Sequence, residues 1–349
     1  MASSSPDSVS AAPPSVAASV AASVAIIGAG LAGLTLATRL TEAGLAVTVF
    51  DKGRAPAGRM STRRGEAGGY DHGAQYFTAR DPDFQRQVDA WVARGLAAEW
   101  TARFGTLERG VLTPKADNPV RYVGVPGMNA LARDLATHLD VRAGVRVERV
   151  QREPGAWRLT SERGEDLGRF ARVAVAVPAP QALPLLAEAP ALAARVAGVG
   201  MEPCWAVMAR FAEPLPLAVD GAFVHGAPLS WAARDSAKPG RAPGERWVLH
   251  ATPEFSRAHL EDTPETVAPL LVEAWRQAAG VEVAPVEAVA HRWRYAQAES
   301  ALSEGALFDA GLGLGVCGDW CAGSRVEGAW RSGLALARAF LASSGVDPK

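Results

Sequence analysis

Residues 24 to 53 read VAIIGAGLAGLTLATRLTEAGLAVTVFDKG. Residues 24–27 are a short apolar run, the pattern of a parallel strand buried on both faces. Gly28, Gly30 and Gly33 follow as GxGxxG. In that motif the first glycine allows a tight turn, the second lets the backbone approach a pyrophosphate, and the third lets the helix pack on the strand. The spacing predicts a helix to about Glu42 with Gly44 as its cap. Its N-terminal N–H groups and dipole favour a bound diphosphate. A second strand, residues 46–50, ends at Asp51, whose carboxylate can accept from a ribose 2′,3′-diol and would repel a 2′-phosphate. Strand, glycines, helix, strand and acid in this order predict a dinucleotide-binding α/β domain. The stretch alone leaves open whether the dinucleotide is NAD as a substrate or FAD as a resident cofactor.

The rest of the composition narrows the classes. The chain has 349 residues, 36 basic and 37 acidic, for a net charge of −1, and is 48% apolar. That describes a globular protein of one large or two intertwined domains, with no footprint for nucleic acid or a membrane surface. Lysine is rare: Lys52, Lys115, Lys238 and Lys349. The three cysteines, Cys204, Cys317 and Cys321, are too few for a disulfide framework, and the last two lack a nearby histidine for a metal site. Residues 1–23 are Ala, Ser, Pro and Val with one Asp, and the first basic residue is Arg39. They lack the basic start of a secretory signal and predict a disordered tail on a cytoplasmic protein. Nothing in the sequence signals an oligomeric state.

Along the chain, a helical period over 81–97 is followed by short strands to 123, a helix to about His138, and a strand pair over 141–150. Residues 172–178 are a buried strand closed by proline. From 199 to 300, strand-like pieces alternate with turns around an amphipathic helix at 264–279. The pattern predicts a Rossmann-like FAD-binding domain, residues 24–80, 121–190 and 305–345, with an inserted antiparallel-sheet substrate domain, residues 81–120 and 191–304.

Three motifs argue for FAD. Gly58-Arg59 follows the second strand, where a guanidinium can pair with the diphosphate of an extended FAD. Val147 lies in an edge strand whose main chain could hold an adenine. Residues 316–340, VCGDWCAGSRVEGAWRSGLALARAF, end a strand at Gly318-Asp319, where the carboxylate can bond a ribityl hydroxyl or a phosphate. Val326, Glu327, Gly328 and Ala329 then open a helix whose positive end suits the flavin pyrimidine edge. The first stretch would hold the ADP half and the last the flavin end.

These segments, with GRMSTRR, DHGAQYFTARDP, RYVGVPGMNAL, VAVPAPQ, WVLHATPEFSRAHLE and HRWRYAQAE, follow the order of renalase, and the chain resembles bacterial renalase-like flavoproteins over about residues 24–341. The resemblance implies a p-hydroxybenzoate-hydroxylase-like two-domain fold and noncovalent FAD. It implies oxidation of 2- and 6-dihydronicotinamide isomers of NAD(P)H, with O2 as acceptor and NAD(P)+ and hydrogen peroxide as products. By the resemblance Ala32, Arg59, Gln75 and Tyr76 match FAD-contacting positions and Glu327 an acidic one; with Lys52, Met60, Gly73 and Ala74 beside them, they join the cofactor-binding candidates Gly28, Gly30, Gly33, Asp51, Val147, Gly318, Asp319 and the rest of the 326–329 helix start.

Hydride donation by a dihydronicotinamide needs a flat, dry pocket rather than a nucleophile. Tyr76 and Trp293 are the candidate walls, and His291 and His72 the candidate polar neighbours. The nearest alternative is a flavin amine oxidase acting on a primary amine or polyamine. Such enzymes often carry a lysine near flavin N5, and of the four lysines here only Lys115 falls near a plausible site. A flavin monooxygenase fits less well, since the second flavin motif lacks its usual Ala-Ala-His and proline. A flavin-binding protein without catalysis is the remaining alternative, weakened by the large second domain.

Overall fold

The computed structural model describes residues 23–66, 68–115 and 119–344. The expected tail falls on residues that, apart from Ser23, lie outside these.

A six-stranded sheet has the order Leu307–Asp309, Leu314–Val316, Arg172–Val175, Ser23–Ile27, Ala46–Asp51, Asp140–Ala143. All neighbours are parallel except the first pair. Ser23–Ile27 is central, and its side chains alternate between two cores. Val24 and Ile26 join Leu34, Leu36 and Phe340 on one face; Ala25 and Ile27 join Val173, Val175 and Trp320 on the other. Burial on both faces explains the unbroken apolar run. The helix Leu31–Glu42 covers the first face. It ends at Ala43, and Gly44, at φ +84°, donates its N–H to Thr41 O. The C-terminal helix Val326–Ser343 packs against it at Gly333, where a Cβ would stand 2.3 Å from Ala32 O.

A seven-stranded sheet has the order Glu287–Ala298, Met201–Phe211, Glu245–Ala251, Leu229–Arg234, Gly221–His225, Phe104–Glu108, Val111–Pro114. Its one parallel pairing joins Phe104–Glu108 to Gly221–His225. The helix Pro264–Ala279 spans the predicted residues. It is capped by Thr263 and by Gly280 at φ +65°, and it buries Val267, Leu271, Ala274 and Trp275. Trp275 packs on Trp247 of the sheet at 4.8 Å between ring centroids.

The expected strand pair over 141–150 is not a pair. Asp140–Ala143 runs parallel to Ala46–Asp51, whereas Val147–Glu153 is the edge of a separate three-stranded meander with Ala156–Ser161 and Asp166–Phe170. Gly144, at φ +74°, turns the chain between them, and its N–H donates to Gly53 O.

Candidate active site

The glycines of the first motif have different reasons to be glycine. Gly28 lies at φ +113°, and a Cβ there would stand 2.5 Å from Ala176 O. At Gly33 a Cβ would stand 2.0 Å from Gly28 O. Both are demanded by the protein's own packing. At Gly30, the residue before the helix, a Cβ would meet nothing within 4 Å. The space over Gly30 and the helix N-terminus is therefore open, as a diphosphate lying against the backbone requires. Asp51 stands at the same turn and accepts from the N–H groups of Ala29 (2.5 Å) and Gly53 (2.6 Å). Of the other candidates at this end, Ala32 and Met60 are buried and Lys52 is exposed; Val147 is buried in its edge strand. These residues fit the ADP half of FAD.

Arg59 was expected at the cofactor diphosphate and Asp319 at a ribityl hydroxyl or a phosphate; the fold joins the two side chains to each other. Nη1 of Arg59 donates to Asp319 Oδ2 (3.0 Å) and Nη2 to Oδ1 (2.5 Å), while Nη1 also reaches Ala296 O at 3.0 Å. Asp319 opens a short 3-10 turn directly after Gly318, whose N–H donates to Ser332 Oγ. Glu327 is turned to the protein: its carboxylate accepts from the N–H groups of Arg80 (3.0 Å) and Asp81 (2.9 Å). Val326 and Ala329 flank it half-buried, and at Gly328 a Cβ would stand 1.8 Å from Gly323 O.

The segment from Asp71 to Tyr76 folds back on Arg59. Ala74 N–H donates to Arg59 O at 2.9 Å, and a Cβ on Gly73 would stand 2.0 Å from that oxygen and 3.3 Å from Trp293 Cζ2. His72 O accepts from Trp293 Nε1 at 2.9 Å, and His250 Nε2 stands 3.1 Å from the same oxygen. Because a carbonyl only accepts, Nε2 of His250 carries the proton. The rings of His72, His291 and Trp293 lie 4.5–4.9 Å apart. Tyr76 belongs to a second aromatic group with Trp231 (5.4 Å) and Trp100 (6.4 Å), with the Arg121 guanidinium 5.0 Å over its ring. The four pocket candidates thus fall into two aromatic groups, His72, His291 and Trp293 in one and Tyr76 in the other.

Burial, then His291, Arg63 and His250, depress His72 to about 3. Burial depresses His250 to about 4, and burial with Arg63 also lowers His291. All three imidazoles are neutral at neutral pH. Nδ1 of His72 is buried without a partner.

Beside this wall lies a buried ionic cluster that the sequence did not indicate. Lys238 Nζ donates to Asp235 Oδ1 (2.7 Å) and Gln75 Oε1 (3.2 Å) and lies 3.6 Å from Asp71 Oδ2. Asp71 also accepts from Thr62 Oγ1 (2.7 Å), Met128 N (2.9 Å) and the Arg241 guanidinium. Burial opposes ionisation of Asp71, but Lys238, Arg241 and these hydrogen bonds outweigh it and hold the carboxyl below its usual range. Burial dominates at Asp235 and pushes its carboxyl up. Lys115, the only lysine that fell near a plausible site in the sequence, lies over the Phe223 ring at 5.0 Å. Lys238 sits in DSAKPGR, whose Pro-Gly reads as a solvated turn; only the tertiary fold shows that it is buried. Cys317 and Cys321 are buried, and burial pushes the Cys321 thiol up to about 12.

Residues 26–91 match the NAD(P)-binding Rossmann-like domain, and residues 98–341 match the family described as flavin containing amine oxidoreductase. The chain belongs to the flavin-containing amine oxidoreductase family. It is an FAD-dependent oxidoreductase with a Rossmann-like domain and the two-domain architecture of that family. Its fold is similar to that of a protein from Exiguobacterium sp. 255-15 provisionally assigned as a protoporphyrinogen oxidase. The TM-score is 0.73 at 14% identity, with 91% of this chain and 98% of the other covered. It is also similar to a putrescine oxidase A394C mutant, with a TM-score of 0.71 at 14% identity, covering 92% and 98%. Wild-type putrescine oxidase bound to putrescine matches at a TM-score of 0.67 and 13% identity, covering 92% and 99%. Among the described residues no helix is long and apolar enough to cross a membrane.

Proposed function

We propose that this flavoenzyme is a renalase-type oxidase: it takes hydride from the 2- and 6-dihydronicotinamide isomers of NAD(P)H, releases NAD(P)+, and reduces O2 to hydrogen peroxide. The observation that carries this reading is the state of the charges around the candidate pocket. The carboxylates of Asp71, Asp319 and Glu327 are engaged by Arg241, Arg59 and backbone N–H groups, and Asp235 is engaged by Lys238. None of these four is left to pair with the ammonium of an amine. The His72–His291 wall instead feels the positive field of Arg63. A flat neutral ring carried on an anionic dinucleotide suits that field better than a cationic substrate does.

The basicity of the site agrees with this. An imidazole depressed to about 3 is a weak proton acceptor, and a dihydronicotinamide gives hydride without losing a proton to the protein. When bound, FAD supplies the two-electron acceptor that O2 reoxidises. Trp293 and Tyr76 would bound the ring and exclude water, with Trp293 held by its bond to His72 O. Arg59 and the open backbone at Gly30 would hold the cofactor diphosphate.

A second reading, oxidation of a primary amine or polyamine, is favoured by one observation: Lys238 is a buried lysine beside Gln75. Anaerobic mixing separates the two. Borohydride-reduced NAD+, which contains the 2-, 4- and 6-dihydro isomers, should bleach the visible flavin band, and enzymatically made 4-dihydro NADH should not. Colour should return with peroxide when air is admitted. Bleaching by an amine alone would establish the second reading instead.

A further inference from the structure

We propose that Lys238 is a positioning residue that sets the orientation of the Gln75 carboxamide and, through it, the backbone of residues 71–73. The proposal rests on FAD lying beside this segment and stands whichever substrate is oxidised.

The argument starts from what an ammonium can do. It carries three donors and no acceptor, so any group bonded to it must present an oxygen. Its neighbours are Asp235 Oδ1, Gln75 Oε1 and Asp71 Oδ2, and Lys238 is only 2% exposed, so water is not a substitute partner. Gln75 must therefore turn Oε1 toward Lys238. Its Nε2 is then forced to the other side, where it donates to Asp71 O and to Gly73 O (3.2 Å). The flipped amide would set NH2 against an ammonium and oxygen against two carbonyls, which is repulsive on both sides.

The consequence is a fully held stretch of main chain. Asp71 O and Gly73 O are held by Gln75, and His72 O between them is held by Trp293 and His250. Three consecutive carbonyls are thus each held by a side chain. Lys238, His250 and Trp293 all come from the seven-stranded sheet and its connections, whereas the held segment follows the hairpin strand Gly68–Asp71 and packs on Arg59. Lys238 Nζ is fixed on its other sides by Asp235 Oδ1 at 2.7 Å and Asp71 Oδ2 at 3.6 Å, so in this dry setting the donor that meets Gln75 has no alternative direction.

The test is a double-mutant cycle on the holoprotein and its FAD-stripped form. Lys238→Met alone leaves two buried carboxylates facing one guanidinium, so the cluster is neutralised with the paired variant Lys238→Met/Asp235→Asn. Gln75→Ala is made in both backgrounds. FAD dissociation constants and the shape of the visible flavin band are measured, with unfolding temperatures as a control for a merely structural role. The paired variant is expected to weaken FAD binding about tenfold and to shift the flavin band, and adding Gln75→Ala should weaken binding by no more than about twofold further. The proposal is overturned if the two effects multiply independently. It is equally overturned if the neutralised variant changes only the unfolding temperature and leaves FAD affinity and spectrum as in the native protein.

Discussion

Arg59 and Asp319, 260 residues apart in the chain, form a two-pronged ion pair with Nη1–Oδ2 at 3.0 Å and Nη2–Oδ1 at 2.5 Å. One follows the second strand of the dinucleotide motif and the other follows the last strand of the same sheet. The pair joins the two ends of the candidate cofactor site. Arg59→Ala leaves a largely buried carboxylate without its cation, and Asp319→Ala frees a half-buried guanidinium. Because Arg59 is partly exposed, the stability cost should be modest, about 1–2 kcal/mol for either change. The effect on FAD retention should be larger, at least about tenfold in dissociation constant. Titration of stripped protein with FAD checks it, and unchanged affinity in both variants would remove the pair from the cofactor site.

The glycines predict opposite outcomes at two neighbouring positions. A Cβ on Gly30 meets no protein atom within 4 Å, and its backbone is extended at φ −76°, so Gly30→Ala should leave the stripped protein's stability within about 0.5 kcal/mol. FAD binding should fall by about tenfold or more, because the methyl occupies space the diphosphate needs. At Gly33 the added Cβ would stand 2.0 Å from Gly28 O, so Gly33→Ala should not yield folded protein. Thermal unfolding with and without FAD distinguishes the cases.

The buried histidines predict acid sensitivity. His250 has a folded pKa of about 4 against 6.5 in the unfolded chain, so the unfolded state takes up the proton first as pH falls. The stabilisation is complete above pH 6.5 and is lost as pH falls toward 4. At pH 5 the loss from this residue is on the order of 2 kcal/mol. His72, depressed to about 3, extends the same trend to lower pH. Denaturant titrations at pH 7.5 and 5 measure it. His250→Gln keeps a donor for His72 O but cannot titrate, and it should flatten the dependence.

Glu327 tests a structural role. Its two oxygens take the N–H groups of Arg80 and Asp81, tying the C-terminal helix to the start of the helix Pro82–Ala93. Glu327→Gln keeps one acceptor oxygen and should cost about 1 kcal/mol; Glu327→Ala leaves both donors unmet and should cost about 2–3 kcal/mol. Denaturant midpoints should order the variants native, Gln, Ala. Equal midpoints would mean that these bonds contribute nothing net.

The sequence by itself determined the dinucleotide-binding half. Its signals are local: an apolar strand, glycines at fixed offsets, a helix period and an acid, all within residues 24–51. Backbone sterics at Gly28 and Gly33 act between residues close in the chain or on adjacent strands, so spacing alone reveals them. The amphipathic helix Pro264–Ala279 was legible for the same reason, since its period and caps are contained in its own residues. The meander edge at Val147–Glu153 was misread because alternation marks a strand without naming its neighbour. The ionic cluster was decided by the tertiary structure alone. Lys238 and Asp235 lie in a connection that reads as surface, and Asp71 and Gln75 lie some 160 residues earlier (|i−j| = 163 for Lys238 and Gln75). Whether a charge is solvated or buried against an opposite charge depends on which distant segments cover it. That is a property of the packed fold and of no single stretch of the chain.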